Sequence, residues 1–115
     1  MAGFFPMFVR LAGRIVVVVG GNETAARTVD ALIACDAEVR AISPTFCPAL
    51  RRLRGTPNLT LIARSLEHGD LEDALLAIAV DDDPTVNLRA APKGLEWNVL
   101  VTVADELALS DFVVP

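Results

Sequence analysis

Ile15-Val16-Val17-Val18-Val19 is an unbroken β-branched run that ends on Gly20-Gly21, the pattern of a strand covered on both faces. The period then changes. Ala25, Val29, Leu32 and Ile33 fall at helical spacing between Glu23 and Cys35, which predicts a helix with one apolar stripe. That helix is expected to stop at Asp36 on a left-handed residue, a conformation Asp tolerates better than most. Glu38 to Ile42 predicts a second strand, closed by Ser43-Pro44. Cys47 to Arg54 predicts a short helix before the Gly55-Thr56-Pro57-Asn58 turn, and Leu59 to Ala63 a third strand. A polar loop with a helical turn near Leu71 leads to a fourth strand, Leu75 to Val80. Asp81-Asp82-Asp83-Pro84 then opens a helix expected to run to about Lys93, because Pro in a first turn and acids beside it suit a helix N-terminus. Asn98 to Val103 predicts a fifth strand, with Trp97 packing at its edge, and Asp111 to Val114 a short sixth.

Strands that alternate with helices through short loops predict an α/β fold of the Rossmann type. Its sheet is expected to be parallel and doubly wound, in the order 3-2-1-4-5, within three α/β/α layers. A length of 115 residues gives room for one domain, residues 1–115, with one core and no second domain to close over a substrate.

Charge and composition narrow the partners. A formal net charge of −5 supplies no field of Lys and Arg for a phosphate backbone, so nucleic acid is not expected. The densest basic run, Arg51-Arg52-Leu53-Arg54, reads as a solvated helix end. A hydrophobic content of 53% suits a covered sheet and a surface that a partner hides. Cys35 and Cys47, the two cysteines, have no ligand partner nearby and predict neither a zinc site nor a disulfide framework. Both are expected to pack as small apolar groups. The apolar runs are too short to span a bilayer, and Met1 to Leu11 has neither a basic start nor a cleavage signature. A cytoplasmic location without membrane partners is expected. His68, the single histidine, lies in the polar loop Glu67-His68-Gly69-Asp70 and is read as solvated. The three acids Asp81-Asp82-Asp83 are read as caps rather than as a metal site.

The chemistry-bearing motif is Val18-Val19-Gly20-Gly21-Asn22-Glu23-Thr24-Ala25, a variant of the G-x-G-x-x-G/A fingerprint at a strand-to-helix junction. Gly20 would make the tight turn, Ala25 would allow close helix-to-strand packing, and free N–H groups of the helix would face a pyrophosphate. Asn22 replaces the middle glycine; Asn can reach the left-handed region, but its side chain occupies space a pyrophosphate would approach. Ser43 rather than an acid follows the second strand, so the ribose would be held by a hydroxyl or by backbone. No Arg follows Ser43 directly, which favours NAD over NADP.

Together with Ala25 and Arg27, Val18-Val19-Gly20-Gly21 resembles the N-terminal domain of the siroheme synthase family. So do Ala79-Val80-Asp81-Asp82 after the fourth strand, Val103-Ala104-Asp105 after the fifth, and Phe112-Val113-Val114-Pro115. The match runs in order over essentially the whole chain. It implies a precorrin-2 dehydrogenase that oxidises precorrin-2 to sirohydrochlorin with NAD, an activity often joined in that family to sirohydrochlorin ferrochelatase. It also implies a tetrapyrrole substrate, a homodimer, and Asp105 as the residue tied to the chemistry. A base beside the nicotinamide suits ring dehydrogenation, and metal insertion requires loss of the pyrrole protons. The bland reading of Asp105 is a helix or turn cap. On the implied arrangement Gly20, Gly21, Asn22, Glu23 and Thr24 hold the pyrophosphate, Ser43 and Pro44 the adenosine end, and Val80 and Asp81 the nicotinamide side. The sequence departs from the family at Asn22 (usually Gly), Thr28 (usually Lys) and Thr102 (usually Asn). Family members also continue beyond the position of Pro115 into a helical region that builds the dimer and part of the tetrapyrrole cleft, a region this chain is expected to lack. The alternatives are a non-catalytic NAD-binding sensor or assembly module on the same fold, and a remnant that binds nothing.

Overall fold

The structure, a computed structural model, describes residues 3–115. Five parallel strands form one sheet in the order β3-β2-β1-β4-β5. They are β1 (Ile15–Val19), β2 (Glu38–Ile42), β3 (Leu59–Ile62), β4 (Leu76–Ala79) and β5 (Leu100–Val103). β1 pairs on one side with β2, Val19 opposite Ile42, and on the other with β4, Val19 opposite Ala79. The chain therefore reverses its direction of sheet growth beside β1, and loops on the carboxyl side of that point form the crevice where such sheets bind ligands.

Each face of the sheet has its own cover. Val16 and Val18 pack with Ala25, Val29 and Leu32 of α1 (Glu23–Ala34), and with Leu50 of α2 (Pro48–Arg52). Val17 and Val19 point the other way, to a cluster holding Ala77, Ala79, Ala90, Val99, Val101 and Val103. That second face is covered by α3 (Pro84–Leu88) and α4 (Ala90–Trp97). Val16 to Val19 are all at most 1% exposed, and burial of each contributes on the order of 1.5–3 kcal/mol as an upper figure. α4 sits directly on β5 because Gly94 has no side chain: a Cβ there would lie 2.2 Å from Val101 Cγ2.

Several expectations hold and several are corrected. Asp36 ends α1 at φ 61° in the left-handed region, as expected. Asp83 caps α3, its carboxylate accepting the Thr85 N–H at 3.0 Å, with Pro84 in the first turn, as expected for an acid and a proline at a helix start. The single helix expected to reach Lys93 is two, α3 and α4, meeting at Arg89. Asn98 is not in a strand; it closes α4 as a left-handed cap at φ 56°, and Trp97 is the last residue of that helix. Asn, like Asp, bears this conformation at little cost, so an Asn that could open a strand ends a helix instead. No sixth strand forms at Asp111 to Val114. Two residues take the outer edge of β5 in its place: the Asp111 N–H donates to Val101 C=O at 2.7 Å, Asp111 Oδ2 accepts the Val101 N–H at 2.9 Å and Ser110 Oγ accepts the Val103 N–H at 2.9 Å. Cys35 is exposed rather than packed, while Cys47 is half-buried, and both are free. His68 is mostly exposed, as expected, but its ring lies 5.8 Å from that of Trp97 and its Nε2 3.4 Å from Glu96 Oε1.

Candidate dinucleotide site and cleft

The β1–α1 turn is held by the loops on either side of it. Gly20 stands at φ 141°, open to glycine and strained for other residues. A Cβ there would lie 3.1 Å from the Asp81 N and 3.2 Å from its Cα. Gly21 abuts the loop after β2: a Cβ would lie 1.9 Å from the Thr45 carbonyl oxygen and 2.8 Å from Ser43 Oγ. Gly20 N–H donates to Ile42 C=O at 3.0 Å, and Gly21 C=O accepts the Cys47 N–H at 2.7 Å. Gly21 has no room for a side chain, and a Cβ on Gly20 would press on the Asp81 backbone in a conformation strained for other residues.

Asn22 does not adopt the left-handed conformation open to it. At φ −91°, ψ −177° it is the extended N-cap of α1, its Oδ1 accepting the Ala25 N–H at 2.8 Å. The oxygen of the carboxamide thus covers the helix end while its nitrogen faces the loop after β4, with Nδ2 2.8 Å from both Val80 C=O and Asp82 Oδ1. The Ala26 N–H is taken by Asn22 C=O at 3.0 Å. Glu23 and Thr24 are the first two residues of α1, and their N–H groups are the ones a helix leaves free for an anion. Both residues are exposed.

Beyond this turn a cleft of about 520 Å³ opens between the start of α1 and the carboxyl ends of β4 and β5. Thr24, Val80, Thr102, Asp105 and Phe112 are among its lining residues. Asp105 sits in the turn after β5 at φ 62°. That turn is fixed by Ala104 N–H donating to Ala79 C=O at 3.0 Å and Glu106 N–H donating to Val103 C=O at 3.0 Å. The Asp105 side chain is exposed and makes no hydrogen bond among the described residues, so it is not the cap that the bland reading supposes. Thr28 also lines the cleft, its hydroxyl donating back to Thr24 C=O at 2.9 Å.

A second, much smaller recess of about 20 Å³ brings together Ser43, Pro44, Ser65, Leu66, Asp81 and Arg89 with Val19, Ile42 and Val86. Ser43 is buried and Pro44 exposed. Val80 and Asp81, expected together on the nicotinamide side, are parted: Val80 lines the cleft and Asp81 the recess beside Ser43 and Pro44. Neighbours in an extended segment point to opposite sides, so the two follow opposite walls. Sequence reasoning missed Asn87, which is 3% exposed and binds the Asp81 peptide. It also missed Arg89, whose place at the α3–α4 junction depended on seeing one helix as two. An Asn at an interior position of a short helix was the one available sign of the first.

A close-packed glycine turn leading to a helix whose first two amides are left free, at the switch point of a doubly wound sheet, defines a dinucleotide-binding domain of the Rossmann class. The residue pattern of the family described as putative NAD(P)-binding matches residues 7–115, and the chain belongs to that family. It is similar to siroheme synthase of Sodalis glossinidius, 33% identical over 112 residues, or 97% of this chain and 24% of that protein. The siroheme synthase of Thioalkalivibrio sulfidiphilus is 35% identical over 112 residues, 97% of this chain and 23% of that protein. The chain thus spans about a quarter of the length of these relatives. Among solved structures, one described as SirC, precorrin-2 dehydrogenase, has the same fold, with a TM-score of 0.83 at 20% identity over 97% of this chain and 55% of that one. The resemblance to siroheme synthase and the expected strand order both hold. No helix among the described residues is long and apolar enough to cross a membrane.

Proposed function

We propose that this domain binds NAD+ and acts in the oxidation of precorrin-2 to sirohydrochlorin during siroheme synthesis. The observation that carries the reading is the unpaired Asp105 carboxylate on the rim of the cleft, at the carboxyl end of β5, beside Val80 and the start of α1. The similarity to siroheme synthases over 97% of the chain supports the choice of substrate.

Glu23 and Thr24 amides, with the bare backbone of Gly20 and Gly21, would hold the pyrophosphate; Ser43 and Pro44 would border the adenosine end, and Val80 the nicotinamide. The bound dinucleotide supplies a hydride acceptor. What the chain itself contributes is position and a base. Asp105, on the cleft's lining, would take a proton from a tetrapyrrole bound there, and Phe112, Val113 and Val114 would give that tetrapyrrole an apolar wall that displaces water. Asp105 would serve equally to remove pyrrole protons should iron be the next reactant. We place the protein in the cytoplasm, where its two free cysteines would stay reduced, and infer a homodimer. Phe5 at 80% and Met7 at 67% exposure are costly to leave in water and suit an interface. Sedimentation at micromolar concentration tests the dimer, and a clean monomer would remove it.

The central test is calorimetry with NAD+ on the wild-type chain and on Gly20→Val, followed by NADH formation from precorrin-2. Binding in the wild type and none in Gly20→Val is expected; unchanged binding in the variant would move the cofactor elsewhere. Binding of NAD+ without any precorrin-2 oxidation, even when the chain is joined to the remainder of a siroheme synthase, would favour a sensor module.

A further inference from the structure

We infer that Asn22 is a positioning residue that locks the phosphate-binding turn to the β4 loop and keeps that loop's acceptors from facing the dinucleotide phosphates. This rests on the reading that the dinucleotide lies over the β1–α1 turn, and adds to it a role that a glycine at this position could not perform.

One side chain makes three hydrogen bonds in two directions. Oδ1 accepts the Ala25 N–H at 2.8 Å inside α1, while Nδ2 donates to Val80 C=O and Asp82 Oδ1, each at 2.8 Å, across 58 and 60 residues of sequence. An amide has two N–H protons on that nitrogen, so both bonds can be made at once. The Ala25 amide is thereby withdrawn from any phosphate and the anion is left to Glu23 and Thr24. Both Nδ2 partners are acceptors, one of them a carboxylate. Without the amide, a carbonyl and a carboxylate would lie unpaired beside the turn assigned to the phosphates.

The tie also spans the two halves of the site. Val80 borders the cleft assigned to the nicotinamide, and Asn22 begins the helix assigned to the pyrophosphate. Ligands that reach both halves should feel the lock, and ligands confined to the adenosine half should not. Two substitutions divide its roles. Asn22→Ser keeps an N-cap oxygen but cannot reach the β4 loop; Asn22→Asp keeps the cap and sets a carboxylate against Val80 C=O and Asp82.

The experiment measures Kd for NAD+ and for adenosine, which lacks any phosphate, by calorimetry on the full chain and both variants, with Tm as the record of folding. Asn22→Ser is expected to weaken NAD+ about fivefold and adenosine less than twofold, and Asn22→Asp to weaken NAD+ more than tenfold at low salt with partial recovery at high salt, both with Tm within a few degrees. Equal loss for both ligands in step with Tm would make Asn22 an ordinary helix cap, and unchanged NAD+ affinity would remove its role altogether; either result overturns the inference. Wild-type chain that binds neither ligand would overturn the underlying reading of the turn, and this inference with it. Should Asn22→Ser fail to fold, Asn22→Asp is made in an Asp82→Ala background, which removes one acceptor and leaves the cap intact: its selective loss of NAD+ over adenosine is expected to shrink, and an undiminished loss would count against the lock.

Discussion

Asn87 closes both hydrogen bonds of the Asp81 peptide: its Oδ1 accepts the Asp81 N–H and its Nδ2 donates to the Asp81 C=O, each at 2.8 Å. A side-chain amide so paired does for one residue what a neighbouring strand does for many. It holds the chain in place just after β4 has ended, where Val80 and Asp81 part to opposite walls of the crevice. Asn87→Ala removes both partners from a site that is 3% exposed, and is expected to cost about 2–3 kcal/mol. Urea unfolding reads the loss, and NAD+ affinity should fall with it because Gly20 packs on the Asp81 backbone. A change under about 0.5 kcal/mol would mean that the turn holds itself.

Most of this arrangement was legible in the sequence wherever one pattern admitted one structure. The Ile15 to Val19 run with its glycines, the apolar stripe of α1 and the Asp83-Pro84 helix start each agree with local propensity and with the fold at once. Asn98, Asn22 and Ser110 were not legible, and for a shared reason: small polar residues can take several local roles, and tertiary partners choose among them. Asn98 became a left-handed cap because β5 begins two residues later, and Ser110 took the edge of β5 in place of a strand. The separation of Val80 from Asp81 follows only once the sheet and its two covers are in place.

The two glycines of the turn should not respond alike to substitution. Gly21→Ala places a methyl 1.9 Å from the Thr45 carbonyl oxygen, a backbone atom that cannot move without breaking the bond from Cys47 N–H to Gly21 C=O, and is expected to cost more than about 3 kcal/mol. Gly20→Ala meets nothing closer than 3.1 Å, so backbone strain dominates and the cost is about 1–3 kcal/mol. Thermal unfolding of the pair gives the order directly, and a Gly21→Ala protein as stable as Gly20→Ala would contradict it.

Stability in acid should depend on Asp70. Its carboxylate takes two bonds from Arg64, at 2.7 and 2.9 Å, and one from the Glu67 N–H at 2.6 Å. The Arg64 guanidinium holds Asp70 below the ordinary carboxylate range, against the opposing effect of partial burial. A lowered folded pKa contributes stability that is complete above the unfolded value near 4 and lost as pH falls through the folded value. Asp70→Asn is therefore expected to be less stable than wild type by on the order of 1 kcal/mol near neutrality, where the pair is partly screened, with the gap closing below about pH 4. A gap that stays constant down to pH 2 would assign the loss to packing.

For Asp105 the substitution has to be chosen by the backbone. At φ 62° it occupies a conformation in which Ala is strained by about 1 kcal/mol and Asn is comfortable, so Asp105→Asn removes the charge and little else. The side chain is exposed and holds no neighbour in place, which predicts an unchanged Tm and NAD+ affinity within a few-fold of wild type. Precorrin-2 oxidation, measured on the chain joined to the remainder of a siroheme synthase, should fall by at least about a hundredfold if the carboxylate is the base. Asp105→Ala should lose as much activity and, in addition, about 1 kcal/mol of stability from the strained turn. Retention of the dehydrogenase rate in Asp105→Asn would withdraw the catalytic assignment and leave Asp105 with a purely conformational reason to stand after β5; loss of rate only in Asp105→Ala, tracking its stability, would say the same.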